Sequence, residues 1–142
     1  MNAVELEEAV SELALKPFEA EEFSFLEAFG NKSTTIKKLR SGSSNKTEVE
    51  GAILQRNNIH IAISEKGKVS EILDKLRKSP SSKKNTAEYI LATDGLDFQA
   101  ENIFSVETVA CEYKDFHNYF VFFLSLANIT TVKQIHESAF YY

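Results

Sequence analysis

In the first 40 residues, apolar side chains recur every three or four positions, which is the period of an amphipathic helix. This spacing predicts a first helix over Val4–Leu15, stopped by a proline, and a second over Glu19–Phe29, stopped by a glycine. A third, shorter helix is predicted over Ser33–Leu39, with Asn31 or Ser33 as its N-cap.

After residue 50 the pattern changes to that of β-strands. Gly51–Gln55 and Ile59–Ser64 are apolar, and Arg56–Asn58 between them is typical of a turn. In the second strand the isoleucines alternate with other residues. His60 and Ala62 are therefore expected on the opposite face.

The next segments alternate between helix and strand. Lys68–Lys78 has a helical stripe and an i,i+4 pair of opposite charges, Glu71 and Lys75. Ser79–Asn85 is polar and is predicted as an exposed loop. Tyr89–Ala92 is continuously apolar before a T-D-G turn, which predicts a central buried strand.

Two more strands, Phe98–Ala100 and Thr108–Tyr113, are predicted to form a hairpin across Asn102–Val106. Phe116–Leu126 is too rich in aromatic residues for a surface element. The order of helices and strands predicts an α/β or α+β fold, with a mixed sheet flanked by helices.

Composition sets the broad class. A chain of 142 residues, 43% hydrophobic and 26% charged, predicts one globular domain over residues 1–142. No apolar run has the length of about 18 residues that a membrane span needs, and no signal peptide is recognisable. A single cysteine cannot form an internal disulfide, so we expect a cytoplasmic protein without a membrane partner.

The distribution of charge is more informative than the net charge of -5. Met1–Glu27 carries eight acids and one lysine, and Asn85–Tyr142 carries eight acids and two lysines. Between them, Ala28–Lys84 carries thirteen basic and five acidic residues. Two interpretations stay open: a surface that binds a polyanion, or solvated lysine-rich faces that neutralise acidic neighbours.

The densest basic segment has no acid between Ala28 and Thr47, and serine, threonine and asparagine are interleaved with its cations. Such side chains contact the phosphates of nucleic acids without reading sequence. The alternative is a solvated basic face. The candidate DNA-binding residues are Lys32, Lys37, Lys38, Arg40 and Lys46.

The histidines and the cysteine do not form a recognisable catalytic or zinc motif. His60, His117 and His136 are far apart in the sequence and lack a second ligand at zinc-binding spacing. Cys111 lies in an apolar strand and is expected to behave as a small hydrophobic residue.

One arrangement resembles the metal site of DNA-cutting nucleases, in which two carboxylates hold magnesium and a nearby lysine assists the attacking water. Glu50 precedes the first strand, and Ser64-Glu65-Lys66 ends the second. Ser64 stands where the second carboxylate is needed, and Glu65 faces the other side of an unbulged strand. The candidate catalytic residues are Glu50, Glu65 and Lys66. We expect either a degenerate nuclease site or, if the strand is bulged so that Glu65 faces Glu50, an active site that uses magnesium.

The sequence ends on three aromatic residues, Phe140, Tyr141 and Tyr142. An exposed apolar end of this kind promotes association. We therefore expect it to pack inside, to pair with a partner or a second copy, or to have been followed by further chain.

Four blocks of the sequence have a specific pattern: Phe25–Lys46, Gly51–Ile63, Tyr89–Gly95 and Phe122–Ile135. Together they resemble the N-terminal region of type IIG restriction–modification enzymes, which belong to the adenine-specific DNA methyltransferases. The last block contains F-F-L-S-L-A-N, where that family usually has F-F-L-P-L-A-G; Ser125 and Asn128 replace the proline and the glycine.

The resemblance implies a region that precedes a methyltransferase domain or subunit acting on DNA. Together with the candidate nuclease residues it favours a restriction-endonuclease-like core with N-terminal helices, catalytically degenerate and serving DNA contact or interdomain packing. An active magnesium-dependent endonuclease domain and a structural or partner-binding module are the alternatives. The N-P-P-Y loop and the glycine-rich cofactor loop of the methyltransferase are not in this sequence. S-adenosylmethionine is therefore expected only in the missing domain, and this chain is expected to hold no cofactor beyond magnesium at an active nuclease site. A truncated gene and an excised domain both agree with this interpretation.

Overall fold

The computed structural model describes residues 1–129, and the elements predicted from the apolar spacing are confirmed with small shifts at their ends. A C-terminal segment of 3-10 helix, which we call the 3-10 helix, spans Tyr113–Ala127 and is kinked at Tyr119, where the backbone is not helical. The other elements, in chain order, are α1 (Ala3–Leu15), α2 (Glu22–Ala28), α3 (Ser33–Arg40), β1 (Ala52–Gln55), β2 (Ile59–Ile63), α4 (Val69–Lys78), α5 (Pro80–Lys84), β3 (Tyr89–Thr93), β4 (Asp97–Asn102) and β5 (Thr108–Glu112).

The five strands form one mixed sheet in the order β1-β2-β3-β4-β5. β2 and β3 are parallel, and α4 and α5 form the crossover between them, while the other neighbours are antiparallel. Every residue of β3 is buried, as predicted for a central strand. The expected α/β fold with a mixed sheet flanked by helices is confirmed.

The larger core covers one face of the sheet. Ile59 and Ile61 of β2 point into it, together with Tyr89 and Leu91 of β3. α1, α2 and the 3-10 helix cover this face, and their most buried apolar side chains are Leu6, Val10, Phe25, Leu26, Phe116 and Phe123.

The opposite face of the sheet is covered by α4. Ala62 of β2 belongs to this second core, so the predicted alternation of β2 is confirmed. The small side chains here let the helix approach the sheet closely. Its buried members are Ala52, Ala62, Val69, Leu73, Leu76, Ile90 and Ala92.

The predicted aromatic segment is an inner element. The rings of Phe116 and Phe98 stack with centroids 4.7 Å apart, and Phe123 stacks on Phe29 at 5.2 Å. Such pairs contribute about 0.5–1.5 kcal/mol each beyond the burial of their area. Tyr89 also fastens the 3-10 helix to the sheet, because its hydroxyl donates to the carbonyl of Phe122 at 2.6 Å.

The prediction of an exposed loop over Ser79–Asn85 is wrong. Pro80–Lys84 is a short helix, with proline at a position where its missing N–H costs nothing. Ser79 and Ser82 are buried because their hydroxyls have partners, Glu48 and Leu76. Polar composition indicated exposure here, but satisfied hydrogen bonds permit burial.

Two local predictions near helix ends are also wrong. Lys32 occupies the N-cap of α3 and makes no side-chain cap bond, because its ammonium group cannot accept from a backbone N–H. Asn31, one of the predicted caps, instead donates to the carbonyl of Leu26 at 3.0 Å. Within the described residues, Glu71 pairs with Lys68 at 3.5 Å rather than with the predicted Lys75.

No helix in residues 1–129 combines the length and apolar character of a membrane-spanning segment. His136 and the aromatic end Phe140–Tyr142 lie outside the described residues, so their predictions stay predictions.

Candidate functional site

The two ends of the sheet carry different chemistry. β1 begins and β2 and β3 end at one side, which we call the carboxyl end; the β1–β2 turn marks the other side, which we call the turn end. The five residues of β2 separate these ends by about 16 Å, at about 3.3 Å per residue. The candidate nuclease residues lie at the carboxyl end.

Glu50 lies in a turn just before β1, closed by a hydrogen bond from the amide of Ala52 to the carbonyl of Val49 at 3.1 Å. Its side chain is exposed and lines a surface cleft of about 690 Å³. The lining residues are Glu48, Val49, Glu50, Ile72, Asp74, Lys75, Lys78 and Ser79.

The other two carboxylates of this cleft already have partners. Glu48 accepts hydrogen bonds from the Ser79 hydroxyl at 2.7 Å and the Ser81 amide at 3.2 Å, and these lower the pKa of Glu48. Asp74 pairs with Lys78 at 2.8 Å, and the hydrogen bond from this lysine is the main cause of the lowered pKa of Asp74. Both carboxylates are therefore already engaged in hydrogen bonds or ion pairs within the protein.

Ser64, Glu65 and Lys66 begin the turn between β2 and α4. The Ser64 amide donates to the Thr93 carbonyl at 2.9 Å, and its hydroxyl donates to the Glu65 carbonyl at 3.0 Å. Glu65 and Lys66 are exposed, and neither lines the cleft that contains Glu50.

The fold brings one further carboxylate, Asp94, to the turn between β2 and α4. In the sequence, Asp94 was only part of the predicted T-D-G turn after β3. It accepts the amides of Gly67 at 2.9 Å, Leu96 at 2.8 Å and Asp97 at 2.7 Å. Burial is the largest single effect on the pKa of Asp94 and raises it, but the hydrogen bonds from the backbone N–H groups together outweigh burial. The net shift of this pKa is therefore downward. Asp94 therefore acts as a structural acceptor that joins two turns.

The carboxyl end thus gathers Glu50 and Ser64, which both lie beyond the last β1–β2 register pair, Ala52 and Ala62, with Glu65 and Lys66 on the next turn. Within residues 1–129, no group of three or more histidine, cysteine, aspartate or glutamate side chains is arranged to hold a metal ion.

A buried polar cluster around His60 has no counterpart among the sites predicted from the sequence. His60 is fully buried, with Nε2 2.7 Å from the Thr47 hydroxyl and Nδ1 2.7 Å from the Ser82 hydroxyl. Ser82 donates its only hydroxyl hydrogen to the Leu76 carbonyl, so Nδ1 of His60 must carry the proton that Ser82 accepts. Burial lowers the pKa of His60 to about 4, although Glu48 opposes the shift. The imidazole is neutral and joins the segment before β1 to α5.

Cys111 has the character predicted from its strand. Its side chain is half-buried on β5, and burial, with smaller contributions from Asp115 and Glu112, raises the pKa of the thiol to about 11. The thiolate form needed for nucleophilic chemistry is therefore disfavoured near neutral pH.

The basic segment is exposed around α3. Lys37 and Lys38 lie in the last turn of this helix, and Lys32 is its N-cap. Lys46 follows Asn45, whose side chain bonds the Ala52 carbonyl and the Leu54 amide and so covers the outer edge of β1. Arg40 differs from the four lysines: its guanidinium lies 2.7 Å from Glu21 and 4.3 Å from the centre of the Phe23 ring.

At the turn end, a cleft of about 590 Å³ combines cations with amide side chains. Gln55 donates to Asn31 at 2.8 Å, and Asn58 donates to Gln55 at 2.7 Å. Sequence reasoning treated Arg56–Asn58 only as a turn. The cleft is lined by Met1, Phe29, Gly30, Asn31, Lys32, Gln55, Arg56, Asn57, Asn58 and Ser125–Asn128.

Comparison with known proteins identifies the family. The family profile described as "MmeI, N-terminal domain" matches residues 1–140. The chain belongs to this family. MmeI is a type IIG restriction–modification enzyme, so the resemblance found in the sequence is confirmed. No curated protein and no solved structure gave a match.

Proposed function

We propose that this MmeI N-terminal domain is a nuclease-like domain without cleavage activity, which contacts the DNA backbone and packs against a linked methyltransferase domain. It would act in the cytoplasm, where the DNA is found. S-adenosylmethionine would be bound by the methyltransferase domain and not by this chain.

The presence of Ser64, rather than a carboxylate, where β2 ends beside the start of β1 carries this proposal. Magnesium requires near-octahedral coordination by oxygen ligands, usually one or two carboxylates together with waters and substrate phosphates. Glu50 faces a cleft whose other carboxylates are bonded elsewhere, and Ser64 brings only a neutral hydroxyl. These residues do not fit a magnesium site, so we derive no cleavage step from them.

The proposed DNA contact is supported by the exposed lysines of the basic segment. Lys32, Lys37, Lys38 and Lys46 form no ion pair with any other residue in the range 1–129. Such cations release counterions from DNA on binding, and the resulting affinity does not depend on sequence.

Packing against another domain is supported by the tip of the β4–β5 hairpin. Phe104 is 64% exposed and Val106 is 72% exposed. Asn102 holds this tip by accepting the amides of Phe104 and Ser105. An ordered tip with two exposed apolar side chains is suited to a protein contact.

A comparison of two double variants tests the DNA contact. Lys37→Ala/Lys38→Ala should weaken binding to a labelled duplex severalfold at about 25 mM salt, because two phosphate contacts are lost. The control Lys16→Ala/Lys75→Ala changes the net charge equally but at exposed lysines of other regions. Equal weakening in both variants, or no binding by the unmodified protein, would remove the proposed contact through α3.

A further inference from the structure

We propose that the turn end of the sheet binds the phosphodiester backbone of duplex DNA through Lys32, Arg56, Lys83 and Lys84. This inference rests on the proposed function, because it assigns where on the domain the DNA backbone lies. It adds Arg56, Lys83 and Lys84, which were not among the candidate DNA-binding residues of the sequence.

The β1–β2 turn holds Arg56 in a fixed place. The Asn57 amide donates to the Asn85 carbonyl at 2.8 Å, and the Asn57 side chain accepts the hydroxyl of Thr86. The Asn58 carbonyl accepts the amides of Glu88 and Tyr89 at 2.9 and 3.1 Å. Arg56 is therefore presented beside the end of α5.

Lys83 and Lys84 form the last turn of α5, directly before Asn85. Both side chains are exposed. The hydrogen bond between Asn57 and Asn85 thus brings these two lysines and Arg56 to one side of the molecule, although 27 residues separate Arg56 from Lys83 in the sequence.

Lys32 approaches from a different element. The chain of amide hydrogen bonds from Asn31 through Gln55 to Asn58 fastens the start of α3 to the β1–β2 turn. Lys32 and Arg56 consequently line the same cleft. Asparagine and glutamine side chains are among the groups that accompany arginine and lysine in phosphate contacts.

The four cations at this end are unpaired in the described part of the protein. None of them forms an ion pair within residues 1–129, whereas Arg40, Arg77 and Lys78 do. The carboxylate of Glu88 is nearby, but it accepts a hydrogen bond from Asn102 at 2.9 Å rather than pairing with one of them. A cluster of exposed, unpaired cations attracts a polyanion.

This placement separates the DNA from the candidate nuclease residues. The turn end lies about 16 Å along β2 from Ser64, Glu65 and Lys66. The surface supplies affinity and orientation rather than chemistry.

Fluorescence anisotropy with a labelled duplex of mixed sequence tests the inference. Arg56→Ala/Lys84→Ala should weaken binding at least tenfold at about 25 mM salt and reduce the slope of log affinity against log salt by about two. The control Lys16→Ala/Lys75→Ala should bind within twofold of the unmodified protein. Circular dichroism should show that all variants fold.

The outcomes separate the two proposals. If Lys37→Ala/Lys38→Ala weakens binding but Arg56→Ala/Lys84→Ala does not, the turn-end site is wrong and the proposed DNA contact stands. Displacement of the duplex by micromolar ATP would show a nucleotide site and overturn the assignment to a phosphodiester backbone. If the unmodified protein does not bind DNA, both proposals fail.

Discussion

His60 is a polar residue that the fold treats as part of its core. Its two ring nitrogens are both satisfied, by Thr47 and Ser82, and it is 0% exposed. A buried polar group without partners would cost roughly 1–3 kcal/mol, so each of these hydroxyls matters to stability. The cluster holds the loop that carries Glu48 and Glu50 against β2.

The folded protein should lose His60-linked stability in acid. The pKa of His60 is about 4 in the folded state and 6.5 as the ordinary value, so folding favours the neutral ring. This contribution is complete above pH 6.5 and is lost as the pH falls from about 6.5 to about 4. His60→Gln should be less stable than the unmodified protein at pH 7.5 by about 1–3 kcal/mol, with the difference shrinking towards pH 4.5.

Urea unfolding of both proteins across this pH range measures that difference. The comparison is needed because Glu22 acts in the opposite direction: burial raises its pKa to about 7, so lowering the pH relieves a cost of folding. Glu22 is common to both proteins, and its effect cancels. A stability difference that stays constant from pH 7.5 to 4.5 would contradict the assigned role of His60.

For single residues, the sequence predicted on which face of a strand a side chain lies, but not which residues it forms hydrogen bonds with. It placed His60 on the correct face of β2, because alternation along a strand is a local property. Its partners lie 13 and 22 residues away in the sequence. The same limit applies to Asp94, whose bond to Gly67 spans 27 residues.

Among the elements, the turn between β3 and β4 shows how closely the chain is packed. Gly95 has a φ of +90°, and a Cβ added there would lie 2.6 Å from the ring of Phe18. The ring of Phe18 in turn packs edge-to-face against the ring of Tyr113, with the ring centroids 5.0 Å apart. The turn therefore requires glycine both for its backbone and for the space beside it.

Gly95→Ala should lower the free energy of unfolding by at least about 1–2 kcal/mol, because the backbone is strained and the Phe18 ring must move. Gly42→Ala is the matched control: it also has a positive φ, of +87°, but a Cβ there meets no atom within 4 Å. Thermal unfolding of both variants measures the packing contribution. Equal losses of stability would show that only the backbone strain counts at Gly95.

The elements themselves were largely predictable because apolar periodicity determines which side of a helix or strand is buried. α4 and β3 follow this rule. α5 does not, because its residues are polar and it is held by Ser79, Ser82 and Glu48 rather than by an apolar face. Hydrogen bonds between distant segments have no periodic signal in the sequence.

At the scale of the whole molecule, cations that are far apart in the basic region of the sequence lie close together in the fold. Asn57 joins the first part of the basic region to its last part through Asn85. The candidate nuclease residues lie at the other end of the sheet. The sequence identified the basic region and the family, but only the fold places Arg56, Lys83 and Lys84 together at the end of the sheet opposite Glu50.

Cleavage of supercoiled plasmid DNA in magnesium or manganese tests the central claim most directly, with Lys66→Ala and Glu50→Gln as matched controls. The account predicts binding without nicking above background, and the same result for both variants, because Glu50, Ser64 and Glu65 do not form a set of carboxylates around one ion. Nicking by the unmodified protein that requires the metal and disappears in Lys66→Ala would contradict it.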